Sequence, residues 1–463
     1  MATASQLEPI QTARTSYLYA SQVQAASITG TSSRAASLWA LLMSVTVLGT
    51  LLRIAAVFEY NPLEVLNTDP GRWWFTATHF SSLQPITAID PFGYPLWLGG
   101  FIALAGTGAI AIAIHNAALS VLTPWIWHRF VRELTGDRDL ALAGWAIFVW
   151  LPSWIAVYSY TLSETLFLPL FGVALWCSVK AYKTGYMTHY AMAALIWALS
   201  SATRVFALPC ALIVLIWISW GREQQARKLV SAIVIFAAIA TPLSIRAHHI
   251  LRIWRPFGFP RMNQIYMVSG KKTLRFEVSR DRGGFRWRYE FGSPSLYQAP
   301  FEPLSSWMSA REGIVCFSID ADKGMVDWDQ VLQKYNPSLK ERLQQWRENY
   351  IMFNFAPSWP DDNPDRFWDN SSKWMRWCWL PLAACVIAGN VRFRRHLGTA
   401  TAAMFAALTT IAWTFTPLLP AVMEGRYRKP IEGLLIVNLL LLVHLNKLRK
   451  CPNYDWSWDT RLA

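Results

Sequence analysis

A carboxylate can take the proton of an attacking hydroxyl, and a guanidinium can hold a phosphate through forked hydrogen bonds. The chain places both types at the edges of its apolar stretches. Asp69 stands in Asn67-Thr68-Asp69-Pro70-Gly71-Arg72-Trp73-Trp74, and Glu164 in Thr161-Leu162-Ser163-Glu164-Thr165-Leu166-Phe167. Arg204 and Arg246 follow, and Glu424 opens Glu424-Gly425-Arg426-Tyr427-Arg428-Lys429-Pro430. Ionisable groups at membrane depth are costly and mostly face a protein cavity or the interface. One acid with several arginines suits transfer of a group from a phosphate carrier, and it suits anion binding without catalysis. Taken singly, each side chain is also accounted for by snorkelling to the interface. Asp69-Pro70-Gly71 is, by composition, a turn signal. What favours a site is that all five positions fall on one side of the topology below.

The elements that must carry these residues are membrane spans. The 463 residues are 53% hydrophobic and include 26 Trp. Mean hydropathy is +0.22. Only 16% are charged, against about 25% in soluble domains. Several apolar runs are long enough to cross roughly 30 Å of hydrocarbon. The net charge of +14 collects at the ends of those runs, as in Arg392, Arg394 and Arg395, or Lys447, Arg449 and Lys450. That is the cytoplasmic anchoring of the positive-inside rule, not a nucleic-acid surface. The Trp residues read mostly as interfacial belts. Six scattered cysteines, with no CxxC pair, give no disulfide framework.

Length and flanking charge predict an all-α polytopic membrane protein of about ten transmembrane helices. Residues 1–35 read as a disordered cytoplasmic lead-in, and 36–58 as an uncleaved first span. The first external loop, 59–93, holds Glu59, Glu64, Asp69 and Asp90 against the single Arg72. A juxtamembrane helix over 94–105 precedes spans at 109–131, 140–158, 162–180, 188–202, 204–220 and 229–246, which complete an N-terminal transmembrane module (36–246). The polar stretch 247–373 reads as a small mixed extracytoplasmic domain. Spans at 374–390, 397–416 and 430–446 form the C-terminal helices (374–446) and return the chain to a cytoplasmic tail, 447–463. No internal repeat is evident, which argues against transporter folds built from duplicated halves.

Four stretches, in order, resemble the GT-C superfamily of polytopic glycosyltransferases, especially bacterial enzymes akin to protein O-mannosyltransferases and lipid A aminoarabinose transferases. They are Asp69 with Trp73-Trp74 and Ala77, Phe92-Gly93-Tyr94-Pro95-Leu96-Trp97, Leu162 to Phe167, and Glu424 to Pro430. The resemblance spans about 60–430. It implies a polyprenyl-phosphate-linked sugar as donor, a glycan, lipid or protein acceptor, and inverting transfer outside a bacterial cytoplasmic (inner) membrane. By it, Asp69 is the catalytic base or orients the acceptor. Arg204, Arg246, Arg426 and Arg428 are candidates for the donor phosphate and Glu164 for positioning, while Tyr94 and Trp73 line the sugar or lipid groove. The sequence departs from the many relatives that carry two adjacent acids in the first loop. Here Pro70 follows Asp69, and Glu64 or Asp90 would have to supply the second acid.

No cofactor is assigned. His248-His249 lacks carboxylate or cysteine partners at metal-ligand spacing, so a divalent metal has no support in the sequence. Two other readings fit the composition: a cell-surface glycan polymerase or ligase using a lipid-diphosphate donor, and a lipid or anion transporter or flippase. The last requires charges at mid-span, where Arg53 is the main example.

Overall fold

The computed structural model describes residues 32–66, 68–79, 81–83, 85–88, 90–251, 254, 256–257, 264–266, 274–279, 284–289, 314–319, 325–327, 339–355, 366–394, 397, 400–418 and 425–450. Six of its helices are long and apolar enough to cross a membrane: Ala36–Glu59, Ala109–Thr135, Ser163–Thr184, Gln225–Ile250, Thr401–Leu418 and Arg426–Arg449. These mark a multi-pass membrane protein, and they coincide with six of the spans expected from the sequence. Gly93–Ala105 and Ala207–Ser219 are shorter apolar helices.

In chain order the helices are α1 (Ser32–Glu59), α2 (Thr68–Thr78), α3 (Gly93–Ala105), α4 (Ala109–Thr135), α5 (Arg138–Val149), α6 (Pro152–Val157), α7 (Ser163–Thr184), α8 (Met187–Thr203), α9 (Ala207–Ser219) and α10 (Gln225–Leu251). After them come α11 (Leu339–Phe355), α12 (Phe367–Arg392), α13 (Ala400–Phe415) and α14 (Lys429–Arg449). Helix α1 already begins at Ser32, inside the stretch expected to be disordered; residues 1–31 and 451–463 lie outside the described residues. Between α10 and α11 are short strands. Gln264–Tyr266 pairs antiparallel with Met325–Asp327, and Leu274–Ser279 pairs antiparallel with both Gly284–Tyr289 and Ile314–Ile319.

Two expectations are corrected. The stretch 59–93 carries α2 and a 3-10 turn at Pro85–Ala88. Asp69-Pro70-Gly71 opens a helix and is not a free turn. Proline is tolerated in a first helical turn because its missing N–H is unpaired there anyway, and an acid in that turn meets the positive end of the helix dipole. The span expected at 140–158 is not continuous. Leu151, held extended (φ −72°, ψ 107°) before Pro152, breaks it into α5 and α6, as the clash of a proline ring with the preceding residue requires.

The break is carried by Arg53. This guanidinium, fully enclosed on α1, donates to the carbonyls of Ser120 (2.9 Å), Phe148 (3.2 Å), Val149 (3.3 Å) and Trp154 (3.3 Å). Two of those are at the C-terminus of α5, where carbonyls lack helical partners and a cation is favoured. Asn116 serves the turn before α7 in the same way, its amide donating to Tyr158 O (2.9 Å) and Tyr160 O (3.0 Å). Around them lies an aromatic core. Trp127 packs on Trp154, Phe148 and Phe130 with centroids 5.2–6.0 Å apart, and Gly433 lets α14 approach so closely that a Cβ there would lie 2.6 Å from the Trp127 ring.

The bundle has two chemically distinct ends. At one, Lys183 lies 3.6 Å from Glu133, Lys447 2.7 Å from Asp137, and Arg222 over the Tyr182 ring. At the other meet α2, the starts of α7, α12 and α14, and the ends of α1, α8 and α10.

Candidate active site

The second end gathers the sequence-predicted charges. Asp69, in the first turn of α2, has one carboxylate oxygen 2.8 Å from Arg72 Nη2 and the other ion-paired with Arg426. Arg72 lies one turn along the same helix, the i,i+3 spacing that brings side chains together. Its Nε also pairs with Asp90. Arg426 comes from the 3-10 turn Gly425–Arg428 that leads into α14. Next to it, Arg204 pairs with Glu164 and donates to Ser163 Oγ (3.2 Å). The Tyr427 ring joins the two pairs, with Arg204 at 5.7 Å and Arg426 at 5.8 Å from its centroid. Helix ends explain the placement. Glu164 occupies the first turn of α7, and Arg204, extended (φ −148°, ψ 126°), directly follows α8.

The two acids that share Arg72 are driven in opposite directions. Burial pushes the Asp69 carboxyl up, yet Arg426 and Arg72 together outweigh it and hold the group well below the usual carboxylate range. Burial also pushes Asp90 up; Arg72 offsets this in part, the Asp69 charge adds to it, and Asp90 stays above its ordinary value. Environments that separate the pKa values of neighbouring carboxyls are the usual way to set one acid and one base side by side.

The remaining predicted residues divide. Arg246 lies beside the cluster and holds the 85–92 segment, donating to Thr87 O (2.8 Å) and Thr87 Oγ1 (2.9 Å) with its guanidinium 3.8 Å from the Phe92 ring centroid. Arg428 turns away. It pairs with Glu432 at 3.2 Å and donates to the carbonyls of Phe353 and Asn354, tying α11 to α14. Tyr94 and Trp73 are buried, edge to face at 5.8 Å; both rings form the wall behind the charges and present no open face. Glu424 lies outside the described residues.

The sequence assigns no role to Arg72, Tyr427, Ser163 or Thr87. Arg72 was findable, because a helix through Asp69 puts it one turn away. A neighbouring assembly also went unread: Arg366 pairs with Glu64 at 2.6 Å between the rings of Tyr60 and Tyr160, and Tyr160 donates to the buried Asp369 at 2.6 Å. Among the described residues no group of three or more His, Cys, Asp or Glu could hold a metal ion. The His248 ring stacks on Trp254 at 4.1 Å.

The chain matches no protein-family model and no curated protein. The site is defined by its own geometry. That geometry is an acid clamped by two guanidiniums, a second acid sharing one of them, and an Arg–Glu pair across a tyrosine ring.

Proposed function

We propose that the protein is a membrane glycosyltransferase of the GT-C type that moves a sugar from a polyprenyl-phosphate donor to an extracytoplasmic acceptor with inversion. The observation that carries this reading is the ion pair between Asp69 and Arg426, set beside Arg204–Glu164 at one end of an apolar bundle. The acceptor hydroxyl attacks the anomeric carbon opposite the phosphate and gives its proton to Asp69. The carbon–oxygen bond to phosphate breaks, and its electron pair leaves on the lipid phosphate. Arg426 and Arg204 stabilise that developing charge, fixed guanidiniums in a water-poor site being well suited to it. Arg246 and Arg428 hold the surrounding walls, and Trp73 with Tyr94 backs the sugar site.

Charge supports an orientation. Arg129, Arg132, Lys183, Arg222, Lys447, Arg449 and Lys450 mark the opposite end as cytoplasmic under the positive-inside rule, so the site faces outward, across the inner membrane in a bacterium. With α5–α6, α8, α9 and α12 added to the six long spans, the chain crosses ten times and both termini are cytoplasmic. The region expected from the sequence to be extracytoplasmic, 247–373, then selects a glycan, lipid or protein acceptor. Arg53, the mid-span charge that a flippase would use, is enclosed and bonded to backbone carbonyls.

The test supplies purified protein with a panel of polyprenyl-phosphate sugars and follows sugar release or transfer. Turnover that disappears in Asp69→Asn, with folding and donor binding retained, supports the assignment. Turnover only with lipid-diphosphate sugars would replace it with the polymerase or ligase reading.

A further inference from the structure

The two guanidiniums on Asp69 are not equivalent. Arg72 belongs to the same helix, one turn on, and is held from its other side by Asp90. Two carboxylates fix it. Arg426 reaches Asp69 from a distant part of the chain, out of a short 3-10 turn, and shares the Tyr427 ring with Arg204. It therefore stands at the junction between the acid and a second cation.

As described, Asp69 is a poor base. Each of its oxygens is engaged by a different guanidinium, and both cations stabilise the charged form that would have to take up a proton. Its depressed pKa agrees with that. A phosphate offers Arg426 a stronger partner than a single carboxylate oxygen, because it presents several charged oxygens to the guanidinium fork.

Resting on the reading of this site as one for a lipid phosphate, we infer that Arg426 is a shared cation, paired with Asp69 until the donor phosphate draws it over Tyr427 toward Arg204. Arg72 stays behind and keeps Asp69 in place beside Asp90. Donor binding thus uncovers the Asp69 oxygen that takes the acceptor's proton, so the base is freed only when a leaving group is present. The charged groups around Asp69 in this exchange are Arg72, Arg426, Asp90, Arg204 and Glu164.

The test measures binding, not turnover, using a long-chain polyprenyl phosphate without sugar and the full-length protein in detergent micelles. Asp69→Asn removes the competitor for Arg426 and tightens binding about tenfold, the lower range for losing a close charge pair. Asp69→Ala gives the same gain and serves where Asp69→Asn folds poorly, folding being followed by thermal unfolding. The gain vanishes in the double variant Asp69→Asn, Arg426→Gln. Asp90→Asn brings no comparable gain, since its carboxylate engages Arg72. Inorganic phosphate distinguishes the source of recognition: a gain shared with it assigns the effect to the phosphate group, and a gain confined to the lipid adds the isoprenoid, both keeping Arg426 as the shared cation. Equal affinity in wild type and Asp69→Asn overturns the inference. So does a gain in Asp90→Asn as large as in Asp69→Asn, which would reflect general repulsion. Failure of every protein to bind polyprenyl phosphate overturns the lipid-phosphate reading itself, and the inference with it.

Discussion

Asp69 at the start of α2 and Arg426 at the entry to α14 are ion-paired, although nearly the whole transmembrane part of the chain separates them in sequence. The pairing means that the first polar segment after α1 and the last before the C-terminal helix close over the same spot. A carboxylate and a guanidinium held together away from bulk water interact far more strongly than a solvated surface pair. The same spot is where the proposed chemistry needs both.

Asp69→Asn keeps the size of the side chain and removes its basicity. The expected loss in kcat is about 10²- to 10⁴-fold, the usual contribution of a positioned general base. The KM for donor should not rise, because Arg426 is retained. Steady-state turnover with an accepted donor checks both parameters, and an unchanged kcat removes Asp69 from the mechanism.

Asp90 contributes a pH dependence of known sign. Its folded pKa is raised, so its stabilising contribution is full below the unfolded value of about 4 and is lost as pH rises through the folded value. Asp69 behaves oppositely, its contribution being present above the unfolded value and lost only in stronger acid. Asp90→Asn mimics the protonated form. The variant's midpoint of thermal unfolding, relative to wild type, should therefore rise between pH ~4 and pH ~7.5. A difference that stays flat over that interval contradicts the environment described for Asp90.

Arg53→Met is expected to destabilise by about 3–5 kcal/mol, since it leaves carbonyls at the α5–α6 break without donors in an apolar interior. Arg53→Lys should recover only part of this, because an ammonium cannot reproduce the guanidinium fork. Thermal unfolding in detergent reads both variants. A Met variant as stable as wild type would mean that the break does not need its cation.

Gly93 is the point where α3 touches the backbone of α8: a Cβ there would lie 2.7 Å from the carbonyl of Ala202. Backbone atoms cannot rotate aside, so Gly93→Ala should cost about 1–3 kcal/mol by overpacking. It should also shift Asp90, three residues earlier. Lower thermal stability together with reduced turnover checks this, and a fully active, equally stable variant would show that α3 has room to move.

The six long apolar helices were legible because length and hydropathy alone decide whether a segment can span hydrocarbon. The convergence of Asp69, Glu164, Arg204 and Arg426 was legible only as a shared side of the topology. Which acid meets which arginine is set by packing between distant segments, to which no local pattern refers. Two local signals were ambiguous for physical reasons. Asp-Pro-Gly marks a turn and also fits a first helical turn, and α2 takes the second option. Leu151-Pro152 interrupts a run whose hydropathy stays high throughout, so composition hid a break that backbone sterics impose. Arg53 read as a stray mid-span charge because its task exists only once that break exists. Arg428 shares its short motif with Arg426, yet the turn of the 3-10 segment sends the two side chains to different partners.

Helix α10 is attached to the bundle by a narrow margin: only 11% of its most apolar stretch is buried, and Val230, Ile233, Val234 and Ile245 point outward. What protein it does meet is chiefly α8 and the turn at Pro85–Ala88, so those contacts fix how it lies. Arg246 rides near its far end and grips Thr87, only a few residues from Asp90. The segment that carries Asp90 is thereby moored to the least enclosed of the six long helices among the described residues.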